Sequence, residues 1–97
     1  MAEPRSWALI TSHGFVLIEV ARSPDATVRE IAERVGLTER QAHRVLSDLV
    51  AEEYIVRERI GRRNRYRINE ERPMRRAIFA DRSIGELLAL LAPKAER

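Results

Sequence analysis

Cysteine is missing altogether, which excludes disulfide bridges, thiolate metal sites and thiol nucleophiles. Histidine is nearly as scarce. His13 opens an apolar stretch and His43 lies in a charged one thirty residues later, a separation that argues against a metal pair. His13 reads instead as a capping or core-edge group. No apolar run is long enough to span a bilayer, and the start MAEPRSWALIT lacks the basic opening, apolar stretch and small-residue cleavage site of a secretory signal. A cytoplasmic location with no membrane contact is the expectation. Serine, histidine and acid in a nucleophilic arrangement, paired carboxylates in a recognisable pocket and a phosphate-cradling glycine loop are all lacking, so neither an enzyme nor a bound cofactor is expected.

What is present fits one soluble domain. A chain of 97 residues buries roughly 60 to 65% of its unfolded surface, enough for one core and little else. The apolar content of 44% against 34% charged residues argues against disorder and for an ionic surface. Lysine occurs once, so seventeen of the eighteen basic residues are arginine, a bias that coding composition alone can produce. The distribution of charge says more than its total of +3. Residues 1–53 carry six basic and nine acidic side chains, whereas residues 54–97 carry twelve and six. Six arginines against the single Glu58 crowd the stretch from Arg57 to Arg67.

Three helices announce their starts through capping boxes, in which a hydroxyl accepts from the third residue's amide and that residue's side chain reaches back: Thr27 to Glu30, Thr38 to Gln41 and Ser83 to Glu86. Another helix is expected to open after Thr11 or Ser12 and to run through HGFVLIEVAR. Its apolar residues occupy nearly every face, which predicts deep burial, and Ser23-Pro24-Asp25 ends it. Val28, Ile31, Ala32 and Val35 form one stripe of the next helix, which Gly36 terminates. Leu37 plugs the corner. From Thr38 to about Glu52, Ala42, Val45, Leu46, Leu49 and Val50 line a buried side, and a rotation of about 100° per residue leaves Arg40, His43, Arg44 and Ser47 opposite.

Tyr54 to Ile60 and Asn64 to Asn69 suit a hairpin joined through Gly61-Arg62-Arg63, with Tyr66 and Ile68 inward and Arg65 and Arg67 outward. Pro73 interrupts the pattern. Met74 to Arg82 is expected to be an irregular connection pinned by Ile78 and Phe79, before a final helix from Ser83 to Ala92 that stops at Pro93 and carries Ile84, Leu87, Leu88 and Leu91 on one side. No internal repeat interrupts this single unit of residues 1–97, whose core spans about 11–69 and whose last helix spans about 83–92.

Two short helices meeting at a glycine turn, with a basic ribbon directly behind them, describe two probes for neighbouring grooves of one duplex. Ala32, Gly36, Leu37 and Val45 stand at the relative spacings of the helix-turn-helix pattern. From about Thr11 to Asn69 the chain resembles the winged helix-turn-helix regulators of bacteria and archaea, of the MarR and ArsR type. The fold implied is α+β, mainly α: a three-helix core with a β-hairpin wing, extended here by the C-terminal helix. Departures are visible too. Ala42 is smaller than the branched residue usual at its position, no cysteine or histidine cluster matches the ArsR metal sites, and the long dimerisation helices of MarR proteins are lacking.

The resemblance implies sequence-specific binding of double-stranded DNA, with the helix from Thr38 to Glu52 in the major groove. Arg40 and Arg44, one turn apart, suit guanine O6 and N7. Gln41 and Ser47 are weaker contact candidates, His43 either touches the DNA backbone or does nothing, and Thr38 offers its backbone amide to phosphate. Arg62, Arg63 and Asn64 occupy the wing tip and Arg65 and Arg67 flank it, for minor-groove or phosphate contact, with Arg57 and Arg59 in support. The bland alternatives are a solvated helix face and an edge hairpin protected by charge. Five or six arginines exceed the second need. A winged-helix module for protein or RNA is the rival reading, since this fold does not dictate function. Leu87, Leu88, Leu90 and Leu91, beside Trp7, Leu9 and Ile10, are candidates for a homodimer contact.

Overall fold

A computed structural model of the chain describes residues 8–75 and 77–92. Within them are four α-helices and one antiparallel hairpin: α1 (Ser12–Arg22), α2 (Val28–Val35), α3 (Glu39–Ala51), β1 (Ile55–Ile60), β2 (Arg63–Ile68) and α4 (Ile84–Leu91). This is a winged helix. All four helices start where a hydroxyl caps them. Thr27, Thr38 and Ser83 close reciprocal capping boxes with Glu30, Gln41 and Glu86, and Thr11 accepts from the Gly14 amide alone. The hydrogen bond from the Thr27 amide holds the Glu30 carboxyl below its ordinary range, and the Ser83 amide does the same for Glu86.

The core gathers Val16, Leu17 and Val20 of α1, Ile31 of α2, Val45, Leu46 and Leu49 of α3, Ile55 and Tyr66 of the hairpin, and Ile84 and Leu88 of α4. Ala32 and Ala42 are buried where α2 and α3 pack together, and Leu37 lies at the corner between them, partly buried. Gly36 ends α2 at φ 78°, a left-handed conformation in which a side chain would be strained. The small Ala42 fits this junction because it is fully covered.

The turn from α3 into β1 is less expected. Glu53 adopts φ 66°, the Tyr54 amide donates to the Leu49 carbonyl and the Glu53 amide to the Val50 carbonyl, both at 2.9 Å. This is a Schellman motif with glutamate in glycine's usual place. The Asn69 side-chain amide donates to the Glu53 carbonyl at 2.9 Å, and the Asn69 main-chain amide donates to the Tyr54 carbonyl, so the end of β2 braces the same turn.

Four expectations are corrected. The hairpin loop has two residues, Gly61 and Arg62, because Arg63 already pairs with Ile60; Gly61 at φ 60° in the first loop position matches a type II′ turn. Helix α1 is not covered all round: Phe15 is exposed, and Ile18 and Ala21 are only partly buried against the core. Ile78 and Phe79 do not pin the connection, being 77% and 50% exposed. Their short 3₁₀ turn, Ala77–Phe79, stands clear of the core. The connection is held instead by Met74 against the core and by three main-chain bonds: Met74 N–H to Arg82 at 3.0 Å, Ile84 N–H to Arg72 at 2.8 Å and Gly85 N–H to Glu70 at 2.8 Å. Lastly, Ile84 and Leu88 of α4 are buried but Leu91 is exposed, so the apolar stripe divides between core and surface. Trp7 and Pro93 lie outside the described residues.

Candidate nucleic-acid interface

Burial of Ala42, Val45, Leu46 and Leu49 fixes the rotation of α3 and turns Arg40, Gln41, His43, Arg44 and Ser47 to solvent. Arg40 and Arg44 have no hydrogen-bond or ion-pair partner among the described residues. Their forked donors are therefore uncommitted. Gln41 is half committed, since its Oε1 accepts from the Thr38 amide at 2.9 Å. That bond also occupies the amide expected to serve phosphate. The first-turn amides of Glu39 and Arg40 are the ones without an intrahelical acceptor.

Asp48, on the same helix, accepts from His13 Nε2 at 2.8 Å, tying the start of α1 to α3. His13 is thus a bridge between helices at the surface. It is no part of a metal cluster, none of which occurs among the described residues.

Along the hairpin the arginines divide by the face each occupies. Arg57 lies over its register partner Tyr66, with its guanidinium carbon 6.0 Å from the ring centre. Arg59 Nε donates to the Gly61 carbonyl at 3.2 Å and steadies the turn. Arg67 Nε meets Glu58 at 2.9 Å across the strands. Arg63 Nη2 donates to the Asp25 carbonyl and Arg65 Nε meets the Asp25 carboxylate at 3.2 Å. Arg62, at the tip, has no such partner among the described residues, and Asn64 beside it is exposed. The wing is therefore a ribbon of cations that mostly carry one internal bond each while keeping further N–H donors outward.

The contact residues singled out from the sequence all reach the surface; Thr38 and Gln41 are bonded to each other in the capping box, and Arg63 and Arg65 meet at Asp25. Asp25, which gathers them, was legible only as a helix-ending turn residue, and nothing local marks an acid that acts across about forty residues. Ile60, exposed beside the wing tip, was equally unmarked.

Several large apolar side chains are also exposed. Leu90 is 78% exposed, and Leu9, Ile78, Phe79 and Leu91 are exposed as well. A shallow groove of about 390 Å³ is lined by Met74, Phe79, Arg82, Ser83, Glu86 and Leu87. No helix of the described residues is long and apolar enough to cross a membrane.

Comparison with known proteins adds one finding of weight: the family model described as MarR family matches residues 9–65, more than half of the chain. Of the two resemblances drawn from the sequence, this match carries the MarR one. No curated protein matches the chain.

Proposed function

The chain belongs to the MarR family of DNA-binding transcription regulators, and from that premise we propose that it binds duplex DNA sequence-specifically as a homodimer in the cytoplasm, with α3 in the major groove and the wing on phosphates or the minor groove. The observation that carries this reading is the set of exposed arginines without internal partners, Arg40 and Arg44 on α3 and Arg62 at the wing tip. Their guanidinium donors are free to meet phosphate or guanine, and they lie on the two elements that a winged helix offers to a duplex.

Each residue has a distinct part. Arg40 and Arg44 read base edges by two-pronged donation, with Gln41 Nε2, His43 and Ser47 beside them. Thr38 shapes the helix start, whose free amides suit a phosphate. Arg62, Arg63, Asn64 and Arg65 hold the backbone and set register without reading sequence. The exposed Phe79, Leu90 and Leu91 of the C-terminal region support a two-fold assembly, which would place two recognition helices about one duplex turn apart, roughly 34 to 36 Å, on a near-palindromic site.

A salt titration tests the proposal. Roughly six phosphate contacts per dimer predict that affinity for a labelled duplex falls by about 10³ between 50 and 200 mM salt. Folded protein that binds no duplex at low salt would refute it. A protein-binding use of the same face would also show as the lack of this slope.

A further inference from the structure

We propose that Asp25 is a built-in competitor for DNA phosphate, which withholds Arg65 from the duplex and so sets the affinity of the wing. This rests on the DNA-binding reading above. Asp25 lies in the turn that follows α1, where Pro24 supplies the fixed φ and the Ala26 amide donates to the Ser23 carbonyl at 3.0 Å. The turn presents both acceptors of Asp25 to the edge of β2. Its carbonyl takes Arg63 Nη2, and its carboxylate takes Arg65 Nε at 3.2 Å.

The two bonds do different work. The bond to Arg63 uses the main chain, so it seats the wing on the body whatever side chain residue 25 carries. The bond to Arg65 uses charge. It cancels one of the six cations between Arg57 and Arg67 at a point where Glu58, the other acid nearby, already meets Arg67 at 2.9 Å. With Asp25 75% exposed and Arg65 49% exposed, this is a surface pair, weak enough for a phosphate to displace. A phosphate that does so must still approach beside a carboxylate. The cost falls on every duplex alike, because phosphate contacts carry no sequence information.

Asp25→Asn keeps the turn and the bond to Arg63 while removing the charge. One more phosphate neutralised per protomer, two per dimer, steepens the dependence of log affinity on log salt by about 1.8, which corresponds to roughly sixtyfold tighter binding at 0.1 M salt if the two proteins converge at 1 M. The experiment titrates a labelled 30-base-pair duplex of mixed sequence with wild type, Asp25→Asn, Asp25→Ala, Arg65→Ala and the Asp25→Asn/Arg65→Ala double variant between 50 and 200 mM salt, after thermal melts show all five folded. The expected result is a steeper slope and tighter binding for both Asp25 variants, and a much smaller gain from Asp25→Asn when Arg65 is already alanine, where only the repulsion between carboxylate and phosphate is relieved. Wild-type binding with Asp25 variants within twofold of it overturns this proposal alone. So does a gain that is as large without Arg65 as with it. Loss of all duplex binding by wild type removes the DNA-binding reading and this proposal with it.

Discussion

Glu53→Gly and Glu53→Ala should separate by about 1 kcal/mol, with glycine the more stable, although alanine is ordinarily the better residue near a helix. Glu53 sits at φ 66° in the joint between α3 and β1. A side chain in that left-handed region costs about 1 to 2 kcal/mol, which glycine escapes. Against this, glycine leaves the unfolded chain freer by about 0.4 to 1 kcal/mol. The ion pair of Glu53 with Arg72, 3.6 Å apart and exposed, contributes about 0 to 1 kcal/mol and is lost in both variants. The main-chain bonds of the joint survive in both as well, since none of them uses the Glu53 side chain. The difference between the two variants therefore isolates the backbone, and in a domain of this size it corresponds to roughly 4 to 8 °C in melting temperature. Urea titration and thermal melts, read by circular dichroism, give the answer. Alanine equal to or above glycine would refute the left-handed joint.

Other outcomes follow from the same geometry. Arg44→Ala should cost about 1 to 3 kcal/mol per half-site of the preferred sequence and relax one base position in each, whereas Arg62→Ala should weaken all duplexes alike and flatten the salt slope of the dimer by about two; an unchanged selected motif for both Arg40→Ala and Arg44→Ala would remove these two from base reading. Leu90→Glu with Leu91→Glu should yield a folded monomer in sedimentation, while Leu88→Glu should unfold the chain because Leu88 is in the core. A wild-type monomer that occupies DNA one copy per site would contradict the dimer. Gly85→Ala places a methyl 2.8 Å from the Glu70 carbonyl oxygen and 2.9 Å from the Glu70 Cβ, so it should cost about 1 to 3 kcal/mol in urea unfolding. Stability equal to wild type would mean that this crossing is not close.

The helix starts were legible because a capping box is local: Thr27, Thr38 and Ser83 each need only a partner three residues on. Gly36 was legible for the same reason, as was the inward turn of Tyr66 against the outward turn of Arg65 and Arg67. The joint at Glu53 was not, because its left-handed backbone is imposed by Tyr54 and Leu49 entering the core together and no glycine advertises it. Ile78 and Phe79 misled for a related reason. Apolar character shows what a residue gains by burial, but whether anything lies above it depends on distant elements. The candidate site divides likewise: the exposed face of α3 followed from helical rotation, while the commitment of Arg63 and Arg65 to Asp25 belongs to tertiary structure and left no trace in spacing.

Helix α4 has a consequence for where this protein can be cut. The stretch that matches the family model closes at residue 65, in the middle of β2. The folding unit runs on. Ile84 and Leu88 complete the same core as Val16, Val20 and Leu46, and the main chain at 84 and 85 is laced to Arg72 and Glu70. Kinship and cooperativity thus have different borders in this molecule. A fragment trimmed to residues 9–65 would keep α3 but lose half of β2 and, with α4, a wall of the core.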